Sequence, residues 1–108
     1  MLKRTNRLAK SKDIQTAFAR GRTFFNPFFS IRFLPRTGEK RFTVVVSTKV
    51  YKKAVARNRL KRLVREYLRK NLIFFKNGSY VIAAKPKISQ LPENETVKQF
   101  LDAAGRIR

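Results

Sequence analysis

Residues 52–70 read KKAVARNRLKRLVREYLRK, and this stretch decides the fold. At 100° per residue it predicts a helix whose two faces differ in chemistry. The apolar arc consists of Leu60, Leu63, Val64, Tyr67 and Leu68. The opposite, basic arc consists of Lys61, Arg62, Arg65 and Arg69 with Asn58 among them, and Arg57 and Arg59 flank its edges. One face can therefore be buried against a core while the other is available to a polyanion.

A basic helix is often no more than a solvated surface. In residues 49–70, however, a single acidic residue, Glu66, stands among ten Lys and Arg. Few ion pairs can therefore stabilise the helix, and its crowded like charges repel one another. A polyanionic partner explains such a helix better than solvation does.

The charge of the whole chain supports this interpretation. The sequence has 27 basic and 6 acidic residues, a net charge of +21 over 108 residues. Residues 88–108 contain 3 of each sign, so residues 1–87 carry the whole excess. Charge concentrated in this way is typical of nucleic-acid-binding proteins.

Length and composition predict a single domain, residues 1–108, with its own core. An apolar fraction of 43% that includes ten Phe argues against a disordered basic tail. Residues 1–10 lack the apolar run of a signal peptide, and no stretch is long enough to span a membrane. The absence of cysteine is compatible with an intracellular, cytoplasmic location.

The chemistry of catalysis is missing from the residue inventory. The chain contains no His and no Cys, and of its six carboxylates only Glu93 and Glu95 are close in sequence. We find no nucleophile triad, no metal-ligand set and no Gly-rich phosphate loop. The sequence therefore predicts no catalytic residue, no metal site and no cofactor or small-molecule substrate held by the protein.

The elements around the basic helix follow an α/β order. Ser11 can cap a short first helix that Gly21 ends. Residues 28–34 and 41–47 alternate in polarity and predict two strands paired as a hairpin. Asn77-Gly78 predicts a turn before a third strand at 80–84, and Pro92 precedes a last helix. Its spaced apolar residues are Val97, Phe100, Leu101 and Ala104.

The two predicted strands have one apolar and one mixed face. The apolar face, which should form the core, consists of Phe29, Ile31, Phe33, Phe42, Val44 and Val46. The mixed face, partly covered by the first helix, consists of Phe28, Ser30, Arg32, Thr43 and Ser47. Periodicity alone favours a core position for Phe18. An aromatic and basic groove of this kind suits single-stranded nucleic acid, because bases stack on rings while cations meet phosphates.

These residues carry a family resemblance. Residues 54–66, AVARNRLKRLVRE, resemble the Arg-Asn-Arg signature of the protein subunit of bacterial ribonuclease P. Residues 3–8 (KRTNRL), 18–21 (FARG), 44–49 (VVVSTK) and 80–86 (YVIAAKP) resemble other segments of that family. The chain departs from the pattern at Thr48, where many members have a lysine, and in its short, neutral C-terminus.

The resemblance implies a fold and a function. The fold is an α/β, or α+β two-layer, sandwich: a small mixed sheet packed by the signature helix and a C-terminal helix. Parallel strands flanking the signature helix would be joined by a left-handed crossover, against the general right-handed rule. The protein would assist a catalytic RNA, which uses Mg²⁺ to remove the 5′ leader of precursor tRNA.

The resemblance also assigns residues to two partners. The catalytic RNA subunit would be bound by Arg57, Asn58, Arg59, Lys61, Arg62, Arg65 and Arg69. The precursor tRNA 5′ leader would lie in a cleft formed by Phe18, Phe28, Ser30, Arg32 and Lys49.

Three other interpretations use the same residues. A ribosomal or general RNA-binding protein would have the same charge, but it has no reason for the signature spacing. A DNA-reading helix would need a dimer seam, and the apolar stripe ends within about three turns. A membrane-surface helix would need an unburied apolar face, whereas the surrounding strands are expected to cover it. Without the resemblance, the residues lead only to an RNA-binding α/β domain.

Overall fold

The computed structural model describes residues 6–8 and 11–107, and in this part of the chain three α-helices pack on a four-stranded sheet. The elements, in chain order, are α1 (Ser11–Arg20), β1 (Arg22–Phe25), β2 (Phe29–Pro35), β3 (Lys40–Val45), α2 (Ala54–Lys70), β4 (Gly78–Ala84) and α3 (Glu93–Ala104). Single 3₁₀ turns, Leu72–Phe74 and Pro86–Gln90, flank β4. The α/β class and the basic helix are therefore confirmed. Residues 3–5 of the predicted basic segment and the capping side chain of Ser11 lie outside what is described.

The order of strands across the sheet is β1-β2-β4-β3. Strand β4 is antiparallel to β2 and parallel to β3. The predicted hairpin of residues 28–34 and 41–47 is therefore wrong, because β4 lies between those strands. β4 is buried from Gly78 to Ile82 and so requires a neighbour on each side. The hairpin that does form joins β2 to β1, a strand the sequence pattern did not reveal.

The parallel pair β3–β4 flanks α2, as the resemblance implies. The left-handedness of this crossover connection stays a prediction.

The first face of the sheet is covered by α2 and α3. All six apolar-face residues predicted for the core are buried there, together with Leu60, Val64 and Leu68 of α2. The ring of Tyr80 stacks between those of Phe33 and Phe42, with centroids 4.7 Å away in each case. Burial of one such side chain is worth about 1.5–3 kcal/mol, so this face holds most of the apolar stabilisation.

The second face of the sheet carries a smaller cluster in which α1 packs on β4. Leu8, Ala17 and Val81 are buried here, with Ile14 and Leu34 packed around them. Helix α1 ends at Arg20, as predicted, and the chain turns at Gly21. A Cβ at Gly21 would clash with the carbonyl oxygen of Ala17 in the last turn of α1, so only glycine allows the chain to turn this tightly at the end of the helix.

Helix α3 is rotated relative to the prediction. Its buried residues are Thr96, Phe100 and Ala103, whereas Leu101 is exposed. Thr96 occupies a core position because its hydroxyl donates to the carbonyl of Pro92 at 3.2 Å, which satisfies the polar group.

Candidate RNA interface

The basic arc of α2 lies on the side of the helix away from the core. Asn58, Arg59, Arg62 and Arg69 are exposed, while Arg57, Lys61 and Arg65 are partly buried. The alternation follows from the 3.6-residue period, which places Leu60, Val64 and Leu68 under the helix. All seven predicted residues are thus on one helix, and none of them is fully buried.

Two of these seven residues, both arginines, have carboxylate partners. Arg59 donates from Nε and Nη2 to the two oxygens of Glu93 at the start of α3, both at 3.3 Å. Arg69 donates from Nε to Glu66 at 3.1 Å, and hydrogen bonding to Arg69 is the largest of the causes that lower the pKa of Glu66 to about 2. Within the described part of the chain, Arg62 has no carboxylate within ion-pair distance. Its guanidinium is therefore available to an external anion.

Arg57 has a structural role in addition to its place in the signature. Its Nη1 donates to the carbonyl oxygens of Tyr51 (3.0 Å) and Lys52 (2.7 Å). These bonds tie the segment before α2 to the first turn of the helix, where the N-cap residue Lys53 makes no side-chain capping hydrogen bond. The signature spacing thus serves the helix start as well as any ligand.

Arg65 is influenced by a residue that sequence reasoning missed. Burial lowers the pKa of Arg65, and the charge of Arg7 lowers it further. Arg7 forms a parallel bridge with Phe42 at the outer edge of β3, and its Nε is buried without a hydrogen-bond partner among the described residues. Two guanidinium groups brought together in this way favour a phosphate. The only advance signal was the position of Arg7 in the basic N-terminal segment.

The second basic surface is a cleft on the second sheet face. The strand register aligns Phe25, Ser30, Ala83 and Val45 in one row across the sheet. Phe25 is 58% exposed, and the Nζ of Lys85 lies 4.8 Å from its ring centroid. The row ends in Val45, which is also exposed. This row forms a shallow floor with an aromatic ring and a cation at one end.

Phe18 and Arg32 form the wall of this cleft next to α1. The guanidinium of Arg32 lies 5.0 Å from the Phe18 ring centroid, and its Nη1 donates to the Phe18 carbonyl at 2.6 Å. Phe18 is 44% exposed, so the core position favoured by periodicity is wrong. Ala17 takes the buried position under α1 instead, because a small side chain lets the helix approach Val81.

Phe28 and Lys49 are placed apart from that wall. Phe28 lies in the β1–β2 turn, before β2 begins, and packs against the main core. Lys49 is exposed in the turn after β3. Because β3 and β4 are parallel, Lys49 and Lys85 follow strand ends that lie at the same end of the sheet. The structure therefore adds Phe25 and Lys85 to the cleft, and a contact of Phe28 with a ligand stays a prediction.

The turn that positions Phe25 is fixed by Asn26. The buried Asn26 side chain accepts hydrogen bonds from the backbone N–H of Phe28 and Phe29 at 2.9 and 2.8 Å. It donates to the carbonyl of Gln99 at 2.8 Å and to the carboxylate of Asp102 at 3.1 Å. The bond from Asn26 and the charge of Arg106 lower the pKa of Asp102. The consecutive aromatics before Asn26-Pro27 were the signal that could have revealed this strand and turn.

The described residues form no group of three or more Asp, Glu, His or Cys side chains that could hold a metal ion. None of the helices in this part of the chain combines the length and the apolar character that a membrane crossing requires. The chemistry that the two surfaces offer is cationic and aromatic, which suits the phosphates and bases of RNA.

Comparisons with known proteins agree with this geometry. The family model for ribonuclease P matches residues 2–108. The ribonuclease P protein component of Bacillus velezensis is 35% identical over 101 residues, which are 92% of this chain and 86% of the relative. The RNase P protein from Thermotoga maritima superimposes with a TM-score of 0.83 at 29% identity, covering 94% of this chain and 97% of that one. The Staphylococcus aureus RNase P protein shares the fold, with a TM-score of 0.85 at 20% identity over 91% of each chain.

Proposed function

The chain belongs to the ribonuclease P family and acts as the protein component of that ribonucleoprotein endoribonuclease, with RNA as its partner; we propose that its two basic surfaces divide this work. The basic arc of α2 binds the catalytic RNA subunit. The cleft on the second sheet face binds the single-stranded 5′ leader of precursor tRNA. Both steps take place in the cytoplasm.

Support for the first assignment comes from the regular geometry of α2. A helix of 17 residues presents its cations at intervals set by the helical period, where they can meet the phosphates of a folded RNA. Arg62 has no carboxylate partner within the described residues, and Arg65 is crowded by Arg7. A bound phosphate would neutralise the charge of Arg62 and reduce the repulsion between Arg65 and Arg7.

Support for the second assignment comes from the rings in the cleft. A precursor and its mature product share the tRNA body and differ by the leader, so a surface that distinguishes them must hold single-stranded RNA. Phe18 and Phe25 are both exposed, and each ring is accompanied by a cation, Arg32 or Lys85. Such a pair can stack a base on the ring and bind its phosphate with the cation.

Hydrolysis is the task of the RNA subunit, which uses Mg²⁺, in this proposal. The protein contributes binding and orientation: α2 neutralises phosphates of the RNA subunit, and the cleft holds the substrate leader beside it. Lower phosphate repulsion should let the RNA subunit work at a lower Mg²⁺ concentration.

The observation that carries the proposal is the presence of two separate cationic surfaces on opposite faces of one sheet. Reconstitution with the RNA subunit from the same organism, at low Mg²⁺ and with precursor tRNA, tests it. We expect cleavage at the mature 5′ end only when both components are present. Specific cleavage by the RNA-free protein would contradict the assignment of hydrolysis to RNA.

The RNA that the protein binds in the cell separates this function from that of a ribosomal or general RNA-binding protein. Tagged protein should capture one long non-ribosomal RNA together with precursor tRNAs. Capture of ribosomal RNA in proportion to its abundance would support the general binder instead.

A further inference from the structure

A third exposed feature lies just after the end of α2. Ile73 and Phe74 are the two most exposed large apolar side chains among the described residues, at 82% and 80%. They occupy the 3₁₀ turn Leu72–Phe74, and we refer to them as the apolar knob. Two adjacent large apolar side chains in water are unusual unless they meet a partner.

The apolar knob is held in place by a rigid turn. The Nζ of Lys40, on β3, donates to the carbonyl of Leu72 at 2.8 Å, and the Asn71 side chain donates to the carbonyl of Tyr67 at 2.9 Å. The backbone N–H of Phe74 donates to the carbonyl of Asn71 at 3.0 Å. The exposure of the knob is therefore imposed by the fold.

The residue after the knob anchors this turn in the core. The Phe75 ring packs edge-to-face on Phe42 and Tyr80, with centroids 5.4 and 5.7 Å apart. The hydroxyl of Tyr80 donates to the carbonyl of Lys76 at 2.6 Å and secures the far side of the turn. The chain thus buries Phe75 firmly and directs Phe74 outward.

The surroundings of the knob are cationic and aromatic. Arg69 and Lys70 end α2 just before it, Lys40 reaches its base, and Lys76 follows it. A cavity of about 200 Å³ beside Phe74 is lined on one side by Tyr67, Phe75, Lys76 and Tyr80, and on the other by Leu101, Ala104, Gly105 and Ile107 at the end of α3. A second copy of this chain, with a net charge of +21, would be repelled here, whereas an RNA would be attracted.

The position of the knob indicates which RNA it meets. The turn precedes the first residue of β4, whereas the leader cleft includes Lys85, just after the last residue of β4. The knob therefore lies at the opposite end of β4 from Lys85 of the cleft, and it directly continues α2. This inference rests on the proposed function, in which α2 faces the RNA subunit.

We propose that Phe74 is a stacking site for an unpaired nucleobase of the RNA subunit, with Ile73 against its edge and Arg69, Lys70 and Lys76 near the flanking phosphates. A base stacked on this ring extends the basic arc of α2 by one anchoring contact that is insensitive to salt. Because the turn already orders the ring in the free protein, little conformational entropy is lost on binding.

The test is the affinity of the RNA subunit for Phe74 variants of the full chain. Phe74→Ala should weaken binding roughly 5- to 150-fold, the range of one base stacked on a ring. Phe74→Tyr should bind like the wild type, and Phe74→Leu should lose nearly as much as Phe74→Ala, because stacking requires a planar ring. The thermal midpoint of the free protein should stay constant, since the side chain is 80% exposed.

Three controls make the outcome decisive. Ile73→Ala, at equal exposure, should change the affinity less than about threefold, because it removes no ring. Unchanged affinity in Phe74→Ala would overturn the proposal, as would full affinity in Phe74→Leu, which would indicate a merely apolar contact. Concentration-dependent dimerisation of the wild type that Phe74→Ala abolishes would also overturn it. Arg62→Ala, measured alongside, reports separately on whether α2 binds the RNA subunit.

Discussion

The two proposed RNA surfaces are built in different ways. The basic arc of α2 comes from one helix of 17 residues, and its cations are spaced by the helical period alone. The cleft takes Phe18 from α1, Phe25 from β1, Arg32 from β2 and Lys85 from the segment after β4. A surface on one helix depends on local periodicity, whereas a surface shared by four elements depends on topology. The basic arc should therefore tolerate substitutions elsewhere in the chain that would disrupt the cleft.

The largest effect is expected in the apolar layer beneath α2. Leu68→Ala removes a fully buried side chain from the main core and should lower the free energy of unfolding by about 2–5 kcal/mol. Leu34→Ala, which alters the half-buried edge of the second face, should cost less. Urea denaturation of both variants measures the difference. An equal or larger loss for Leu34→Ala would show that α1, and not α2, carries the fold.

The next effect concerns the outer side of the same helix. Replacing Arg62 and Arg65 together with Ala should weaken binding of the RNA subunit by roughly 3 kcal/mol, the sum of two charge-assisted contacts. The slope of log affinity against log salt should decrease by about two. Circular dichroism should be unchanged, and at low salt the free protein should be no less stable, because Arg65 is crowded by Arg7. Unchanged RNA affinity would mean that this face is merely solvated.

The same contrast explains what the sequence could predict. The buried and exposed sides of α2 could be predicted from residue spacing. Apolar residues three or four positions apart form the buried side (Leu60, Val64 and Leu68), and the cations opposite them follow the same spacing. The neighbours of β2 could not be predicted in this way, because alternation identifies a strand but not its partners, and these proved to be β1 and β4. Phe18 was misplaced by periodicity because Ala17, a weaker hydrophobic signal, takes the buried position.

The cleft residues show the same limit. Phe25 and Lys85 are 60 positions apart in the sequence and meet only because β2 lies between β1 and β4. Arg7 approaches Arg65 through a bridge to β3 that no local pattern announces. Ser30 and Arg32 were placed correctly, since they alternate with buried residues on a strand that was itself predicted.

A third, smaller effect tests the cleft. Phe25→Ala should weaken precursor tRNA binding by the holoenzyme by about 1–3 kcal/mol, while mature tRNA binding and RNA-subunit affinity stay nearly constant. Phe28→Ala, in the turn beside it, tests the position that the sequence predicted. Because Phe28 packs against the core, it should also lower the thermal midpoint. Equal losses for precursor and mature tRNA in both variants would mean that the leader lies elsewhere.

The smallest effect distinguishes the two roles available to Arg59. Its guanidinium is bound by Glu93 of α3 on an exposed surface, and such pairs contribute about 0–1 kcal/mol to stability. Glu93→Gln removes the negative charge and releases Arg59 without altering α2. If Arg59 binds the RNA subunit, this variant should bind RNA slightly more tightly, because one repulsive carboxylate is gone and one guanidinium is free. If Arg59 serves only to join α2 to α3, the variant should lose a little stability and gain no affinity.

Arg59→Ala separates the alternatives further. If Arg59 contacts a phosphate, the slope of log affinity against log salt should decrease by about one, and the urea midpoint should be unchanged. A lower midpoint with an unchanged slope would assign Arg59 to the scaffold and leave the other six predicted residues of α2 to bind the RNA subunit.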